Sequence, residues 1–583
     1  MGPRGCATFN LPESFGSSRV HNFPFCHRPC KVMARRILIA FEGSRGDIQP
    51  YIVAALALSK SGYDVVAAGP SDGQALAEEF QVPFTPFRPN SQLLTTDPEV
   101  TKAIATNSLM KLVRAANKAD KRLNPPEVKA KAIESLYTLM VDWKPHLVLV
   151  STLTLPLALM IARKVPVPVI CLSLQNARPS KTLKVYGFPT VPPCLRRPAW
   201  RLVMSSVLQV LFKDSAPTLE KIMGIPASQL RVPTSEHNHY HDAKCKFLSI
   251  IATSAAVCGE LPSECNSMNV QIGALMPSLD QTGSSFGGEQ LKQMNDFLAA
   301  GSAPVYIGFG SIICGTSKFM CLLSLRALRI VGERGIVVSS WSTMSEQDIE
   351  GEPDRDELKA FCAENVLFLK TAPHGQLFPQ CKVIVHHGGA GTFNASARSG
   401  TPTVICPIFM DQLDHRRWLN RRGFGVGLKQ MSKLQPQDLA DAIRKCINTP
   451  SIQEKAQEVA RIMEQEDGPR RLVEVVNDYM DQYIETGRHM ELKRKLDEKQ
   501  PHGCLAPSGG KWLEWWLPCA FKCGGTMPHV RTEVADAFDS VNQMLKKPEG
   551  LCWCMLVWFA TSYFNSCPFT WFIIYTYMLY IYI

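Results

Sequence analysis

At 583 residues the chain is too long for one ordinary core, so two or more domains are expected. Apolar content of 45% with 20% charged residues is a globular balance. The net charge of +11 is spread out, with no long basic run and no basic patch interleaved with aromatics, which argues against nucleic-acid binding. What remains is a basic solvated surface or attraction to anionic membranes. The 20 cysteines are scattered. Cys26-x3-Cys30 and Cys519-x3-Cys523 lack a second pair at zinc-ribbon spacing, so no metal site is expected. With no disulfide framework legible, a reducing compartment is expected.

In chain order, residues 1–33 carry one acid, Glu13, and no apolar segment of signal-peptide type; they read as a disordered leader. Arg36 to Phe41 is a short apolar run that predicts a buried strand. A turn, Glu42 to Asp47, follows, and helical spacing from Ile48 to Ser61 stops at Gly62. Tyr63 to Ala68 predicts the next strand, completing a βαβ unit and hence a parallel sheet. Residues 92–141 read mostly as helices. Strands are expected at Leu147–Val150, Val167–Leu172, Phe247–Thr253 and Val270–Gly273, with a Pro-rich then helical stretch over 176–245.

Residues 277–290 are polar and Gly/Ser-rich, the strongest internal boundary. The α/β pattern then restarts. A helix is expected at Leu291–Ala300 and a strand at Val305–Phe309. Next come a helix at Lys318–Arg334 and strands at Gly335–Ser339, Val366–Leu369, Val383–Val385 and Thr403–Cys406. Helices are expected at Gln435–Ile447 and Ile452–Glu464. Leu472 to Lys499 predicts a polar helix long enough to pack back across the first half. The expected domains are therefore 34–276 and 291–470, a helical extension over 471–500 and a tail over 501–550. Residues 551–583 contain no Asp, Glu, Lys, Arg or His and follow Lys546-Lys547. They are long enough to span a bilayer. Membrane anchor, interfacial segment and atypical terminus stay open for them, and the expected location is cytoplasmic, with membrane association through this segment.

Two doubly wound domains place ligands at the carboxyl ends of their strands, and a cleft between them is the default site. The densest motif there is His386-His387-Gly388-Gly389-Ala390-Gly391-Thr392, between a strand and a helix. Such a turn exposes backbone N–H groups where a phosphate can bind. His387 and Thr392 add donors, while His386 reads as a satisfied strand-end residue. Asp411-Gln412, after the next strand, offers an acceptor and an amide suited to sugar hydroxyls. Phosphate grip plus sugar grip suggests a nucleotide sugar. In the first half, Gly43-Ser44-Arg45-Gly46-Asp47 occupies the same position at its strand's end. Asp47 there is either a helix cap or a general base. Arg45 is either a diphosphate contact or a solvated loop arginine. Ser311, in Gly308-Phe309-Gly310-Ser311, either bonds phosphate or caps the next helix. Ala372 and His374, after the strand Val366–Leu369, offer a backbone group and an imidazole to a nucleoside.

These pieces in this order resemble the GT-B family 1 glycosyltransferases, specifically the sterol 3-β-glucosyltransferase branch. The carrying residues are Gly43 to Tyr51, Val305 to Ser311, Pro373-His374 with Leu377-Phe378-Pro379, His386 to Thr392, Ser399 to Thr403, and Asp411-Gln412. They span roughly residues 34–470, poorly over 85–245. The resemblance implies two Rossmann-like domains facing a central cleft and inversion at the anomeric carbon. It implies no metal or cofactor, a UDP-glucose donor and a sterol or other lipophilic acceptor. Carried over by position, Ser44, Arg45 and Asp47 face donor and acceptor, with Asp47 as base. Ala372 and His374 sit by the nucleoside, His387, Gly389, Ala390, Gly391 and Thr392 by the diphosphate, and Asp411 and Gln412 by the sugar. Transfer to a polyketide or other natural product, and UDP-sugar epimerisation, are the alternatives. The family's Pro-Phe-Trp after Asp-Gln is replaced here by Leu413-Asp414-His415.

Overall fold

The computed structural model describes residues 34–498, apart from 107–108, 177, 184–190, 279–289 and 410. The expectations for the leader, the tail and the apolar segment 551–583 lie outside the described residues. Among the described residues no helix is long and apolar enough to cross a membrane.

Two parallel sheets organise the chain. The first holds β1 (Arg36–Ala40), β2 (Asp64–Pro70), β3 (Phe84–Arg88), β4 (Leu147–Val150), β5 (Val169–Ser173), β6 (Ser249–Ile251) and β7 (Asn269–Gln271), in the order β3-β2-β1-β4-β5-β6-β7. The second holds β8 (Val305–Gly308), β9 (Gly335–Val338), β10 (Val366–Leu369), β11 (Val383–His386), β12 (Thr403–Ile405) and β13 (Gly425–Gly427), in the order β10-β9-β8-β11-β12-β13. Every pairing is parallel. The central strands are continuous apolar runs because helices cover both faces. Alternation then sorts their side chains: Ile37 and Ile39 join one core while Leu38 and Ala40 join the other. In the second sheet Val383 and Val385 face one core and Ile384 the opposite one.

Strand order reverses between β1 and β4 in the first sheet and between β8 and β11 in the second. These are the two topological switch points, where a crevice opens beyond the strands' carboxyl ends. The loops after β1 and β11 are the two glycine turns read from the sequence.

Each half also lends helices to the other. The helices Pro98–Ala105 and Leu109–Leu123 leave the first sheet and insert Val100, Ile104 and Ala119 into the core built on Val305, Ile307 and Val385. In the opposite direction, the helix Gly468–Tyr479 packs Leu472, Val475 and Val476 against Ile52, Ala55 and Leu58. The expected single helix Leu472–Lys499 is in fact broken. A π turn at Met480–Ile484 and Gly487, with φ of 70°, separate it from the helix Arg488–Glu498. That interruption lets Leu492 and Leu496 reach the other face of the first sheet.

Candidate active site

The first turn is more compact than the periodicity indicated. Its helix starts at Arg45 rather than Ile48 and runs to Lys60, with Ser44 as N-cap. Asp47 is therefore not the cap; it stands in the first turn and closes a capping box. The Ser44 N–H donates to Asp47 Oδ2 at 2.9 Å, and the Ser44 hydroxyl lies 3.5 Å from the same oxygen. The carboxylate folds back so far that a Cβ on Gly43 would sit 2.3 Å from Oδ2, and Gly43 adopts φ of +130°. Only glycine fits this turn. Burial, and then the charge of Asp411 from the second domain, raise the Asp47 carboxyl to about 7 against the pull of the Ser44 contacts. A carboxylate so placed is poised to take a proton near neutral pH. Arg45, beside it, has its pKa lowered by burial, with Glu79 opposing, and its charge bears on His374 across the cleft.

The second turn is held by two histidines that do not face it. Gly388 N–H donates to His386 Nδ1 at 2.9 Å. The Ser396 hydroxyl donates to Phe393 O at 2.9 Å, so its 3.3 Å contact with His386 Nε2 requires the proton on that nitrogen. His386 is thus the satisfied strand-end residue expected. From below, His415 Nδ1 donates to Gly388 O at 2.5 Å while its ring stacks on Phe393 with centroids 4.9 Å apart. Gly388 itself adopts φ of +91°, with Ile405 2.9 Å from where a Cβ would be. Both polar groups of Gly388 are fixed, and the backbone is aimed rather than floppy.

His387 is the third histidine and differs from the other two. Its Nδ1 is buried without a hydrogen-bond partner. A Cβ on Gly389 would fall 2.4 Å from its Nε2, and one on Gly310 would fall 2.7 Å from its Cε1. The ring thus occupies a slot between two glycines. Burial, helped by His415, lowers its pKa to about 4, so it is a neutral N–H donor. Gly389 is the N-cap of the helix Ala390–Ser399, which puts Ala390, Gly391 and Thr392 in its first turn, where free N–H groups and the helix dipole favour an anion.

The remaining candidates surround this pair of turns. Ser311 lies in the turn after β8 and does not cap the next helix, because Thr316 does so, its hydroxyl accepting from Phe319 N–H at 3.1 Å. Ala372 is buried, and His374 opens a short helix. His374 stacks on Phe378 at 4.3 Å and shares a 3.1 Å hydrogen bond with the Tyr306 hydroxyl through Nε2. Burial, then Arg45, lowers its pKa to about 4. Asp411 precedes the helix Gln412–Arg422, and burial raises its pKa. Gln412 is buried, its Oε1 accepting from Ile408 N–H at 2.8 Å and Phe409 N–H at 3.2 Å. Its amide nitrogen is the group left for a ligand.

The two turns meet. A Cβ placed on Gly391 would lie 3.8 Å from Gly46 Cα, so the N-termini of both helices come together at the cleft. Three contributors escaped the sequence reading. Gly310 walls the His387 slot, His415 supports Gly388, and Gln175 Nε2 donates to Asp411 Oδ2 at 2.8 Å from the first domain. The Leu-Asp-His departure after Gln412 gains a physical meaning here, since His415 is a buttress of the glycine turn. Among the described residues no three His, Cys, Asp or Glu side chains gather as a metal-binding group.

Comparisons with known proteins bear on this geometry. The family model described as Erythromycin biosynthesis protein CIII-like, C-terminal domain, matches residues 350–480. A sterol 3-beta-glucosyltransferase of Arabidopsis thaliana is 29% identical over 259 residues, covering 43% of this chain and 38% of that protein. One of Saccharomyces cerevisiae (strain YJM789) is 33% identical over 176 residues, covering 30% of this chain and 14% of that protein. The chain thus spans well under half the length of these relatives. Among solved structures, the glycotransferase of kitacinnamycin superposes with a TM-score of 0.53 at 16% identity, covering 76% of this chain and 99% of that one. The fold is that of GT-B glycosyltransferases, and the resemblance to the sterol 3-β-glucosyltransferase branch is carried by sequence.

Proposed function

We propose that the chain is an inverting, metal-independent glycosyltransferase that moves glucose from UDP-glucose to a hydroxyl of a sterol or another lipophilic acceptor. One observation carries the reading. A carboxyl raised to about 7 stands at the first-domain turn, opposite the N-terminus of the helix Ala390–Ser399 and the Asp411-Gln412 pair on the second. In this mechanism Asp47 takes the acceptor hydroxyl's proton as its oxygen bonds to the anomeric carbon. The bond from that carbon to the diphosphate oxygen breaks with inversion. The electron pair leaves with UDP, whose charge is met by the N–H groups of Ala390, Gly391 and Thr392 and by the His387 N–H. Asp411 and Gln412 hold the sugar hydroxyls, and Ala372 and His374 flank the nucleoside. The relatives named as sterol 3-beta-glucosyltransferases support the acceptor class.

The test is UDP release measured across UDP-sugars with sterols and other lipids as acceptors. Sterol-dependent release from UDP-glucose, with a sterol glucoside as product, is the expected result. A second reading, transfer to a polyketide-type natural product, is favoured by the erythromycin-type family match. It would be chosen by release with such acceptors and none with sterols. Conversion of UDP-glucose without any acceptor would instead indicate an epimerase.

A further inference from the structure

The loop after β5 carries a side chain that the mechanism leaves unused. Gln175 is anchored through its own backbone. The Ser173 hydroxyl donates to Gln175 O at 2.7 Å and accepts from Gln175 N–H at 3.3 Å. Thr152, from the loop after β4, donates to Ser173 Oγ at 3.4 Å. From this base the side chain crosses the cleft to Asp411 Oδ2 at 2.8 Å. Other hydrogen bonds join the two halves away from this contact. They include Ser254 to Glu466 at 3.1 Å, Arg422 to Ala255 O at 2.9 Å and Tyr63 to Asn477 Oδ1 at 2.7 Å.

The second amide atom of Gln175, Oε1, is buried and accepts no hydrogen bond. A buried acceptor without a donor is costly, and native structures rarely retain one without a use. The acceptor inventory at the sugar end supplies that use. Sugar hydroxyls both donate and accept. Gln412 offers them only N–H, because its Oε1 is occupied by Ile408 and Phe409. Asp411 has one oxygen engaged by Gln175. Among these three side chains, the acceptors for sugar hydroxyl protons are therefore the rest of the Asp411 carboxylate and Gln175 Oε1.

We propose that Gln175 is a sugar-reading residue, a carboxamide lent by the acceptor domain that completes the hexose subsite opposite Asp411 and Gln412. A sugar hydroxyl donates its proton to Gln175 Oε1, while the Gln175 N–H stays on Asp411 or passes to a sugar oxygen. This rests on the nucleotide-sugar reading of the cleft. It adds that the first domain, through β5, recognises the donor's sugar and not only the acceptor, so domain closure and sugar recognition are one event.

Calorimetric titration of the full chain with UDP and with UDP-glucose tests it, using wild type, Gln175→Leu and Gln175→Asn. Gln175→Leu is expected to bind UDP as wild type does and UDP-glucose about tenfold more weakly, the effect of losing one buried hydrogen-bonding partner. The KM for UDP-glucose should rise while the Kd for UDP stays put, and Gln175→Asn should recover part of the loss. UDP binding also reports that each variant is folded, and Gln175→Asn carries the comparison if the leucine variant is not. Equal weakening toward both ligands would reduce Gln175 to a structural latch and overturn the proposal, as would unchanged UDP-glucose affinity. Absence of UDP binding by the wild type would instead overturn the nucleotide-sugar reading beneath it.

Discussion

At the scale of single residues the site works by controlling protons. The Asp47 carboxyl is raised to about 7 by burial and by Asp411. A base must be ionised to act, so kcat/KM for transfer should climb through about pH 7 and level above it. Asp47→Asn should remove that limb and lower turnover by about 10²–10⁴-fold while UDP still binds, as a UDP-release pH profile and calorimetry would report. Stability has the opposite sign. The folded protein holds the Asp47 proton up to about 7, whereas an unfolded aspartic acid loses it near 3.8. Between those values the folded state binds more protons, so this group's contribution to stability falls as pH rises. Melting of Asp47→Asn against wild type should accordingly show a more favourable difference at pH 8 than at pH 5. His387 is a neutral donor whose position depends on two absent side chains. Gly310→Ala puts a methyl group 2.7 Å from its Cε1 and strains a residue at φ of +68°. UDP affinity should fall about tenfold, with a stability loss of about 1 kcal/mol from the backbone, readable by calorimetry and urea denaturation.

At the scale of elements, each turn is held by contacts behind it. His386 accepts from Gly388 N–H and donates to Ser396, all inside the core. His386→Leu keeps the volume but leaves the Gly388 N–H buried without an acceptor. It should cost about 1–3 kcal/mol in urea denaturation and also weaken UDP binding, because the aimed backbone relaxes. Much of this layer was legible in the sequence. β1, β4 and β11 are apolar runs buried on both faces, and glycine-rich turns follow β1 and β11. β3 was missed because Pro86 interrupts Phe84–Arg88, a pattern tolerated only at an edge, which is where β3 lies. β13, an edge of the second sheet, is the three residues Gly425–Gly427, too short to show a period. The start of the first helix was misread because Arg45-Gly46-Asp47 has no apolar periodicity; the capping box between Ser44 and Asp47 was the available signal. Gln175 was out of reach, since its partner Asp411 lies 236 positions away. His415 read as part of a basic run, and only the fold puts it beneath Gly388.

At the scale of the whole molecule, the two sheets are separate but their cores are not. Multidomain chains commonly unfold in independent steps. Here the helices Pro98–Ala105 and Leu109–Leu123 complete the second core, and the helix Gly468–Tyr479 completes the first. Removing either sheet's structure strips buried apolar surface from the other, so the domains should unfold together. Ile104 tests the coupling: it is encoded in the first half and is 4% exposed within the core of the second. Ile104→Ala should destabilise by about 2–5 kcal/mol through lost transfer free energy and a residual cavity. In urea titrations read by hydrogen exchange, peptides from β1, β4, β8 and β11 should share one midpoint in wild type. In the variant all four should move down together. A shift confined to peptides of one sheet, or two separated midpoints in wild type, would mean that the lent helices pack without coupling the domains.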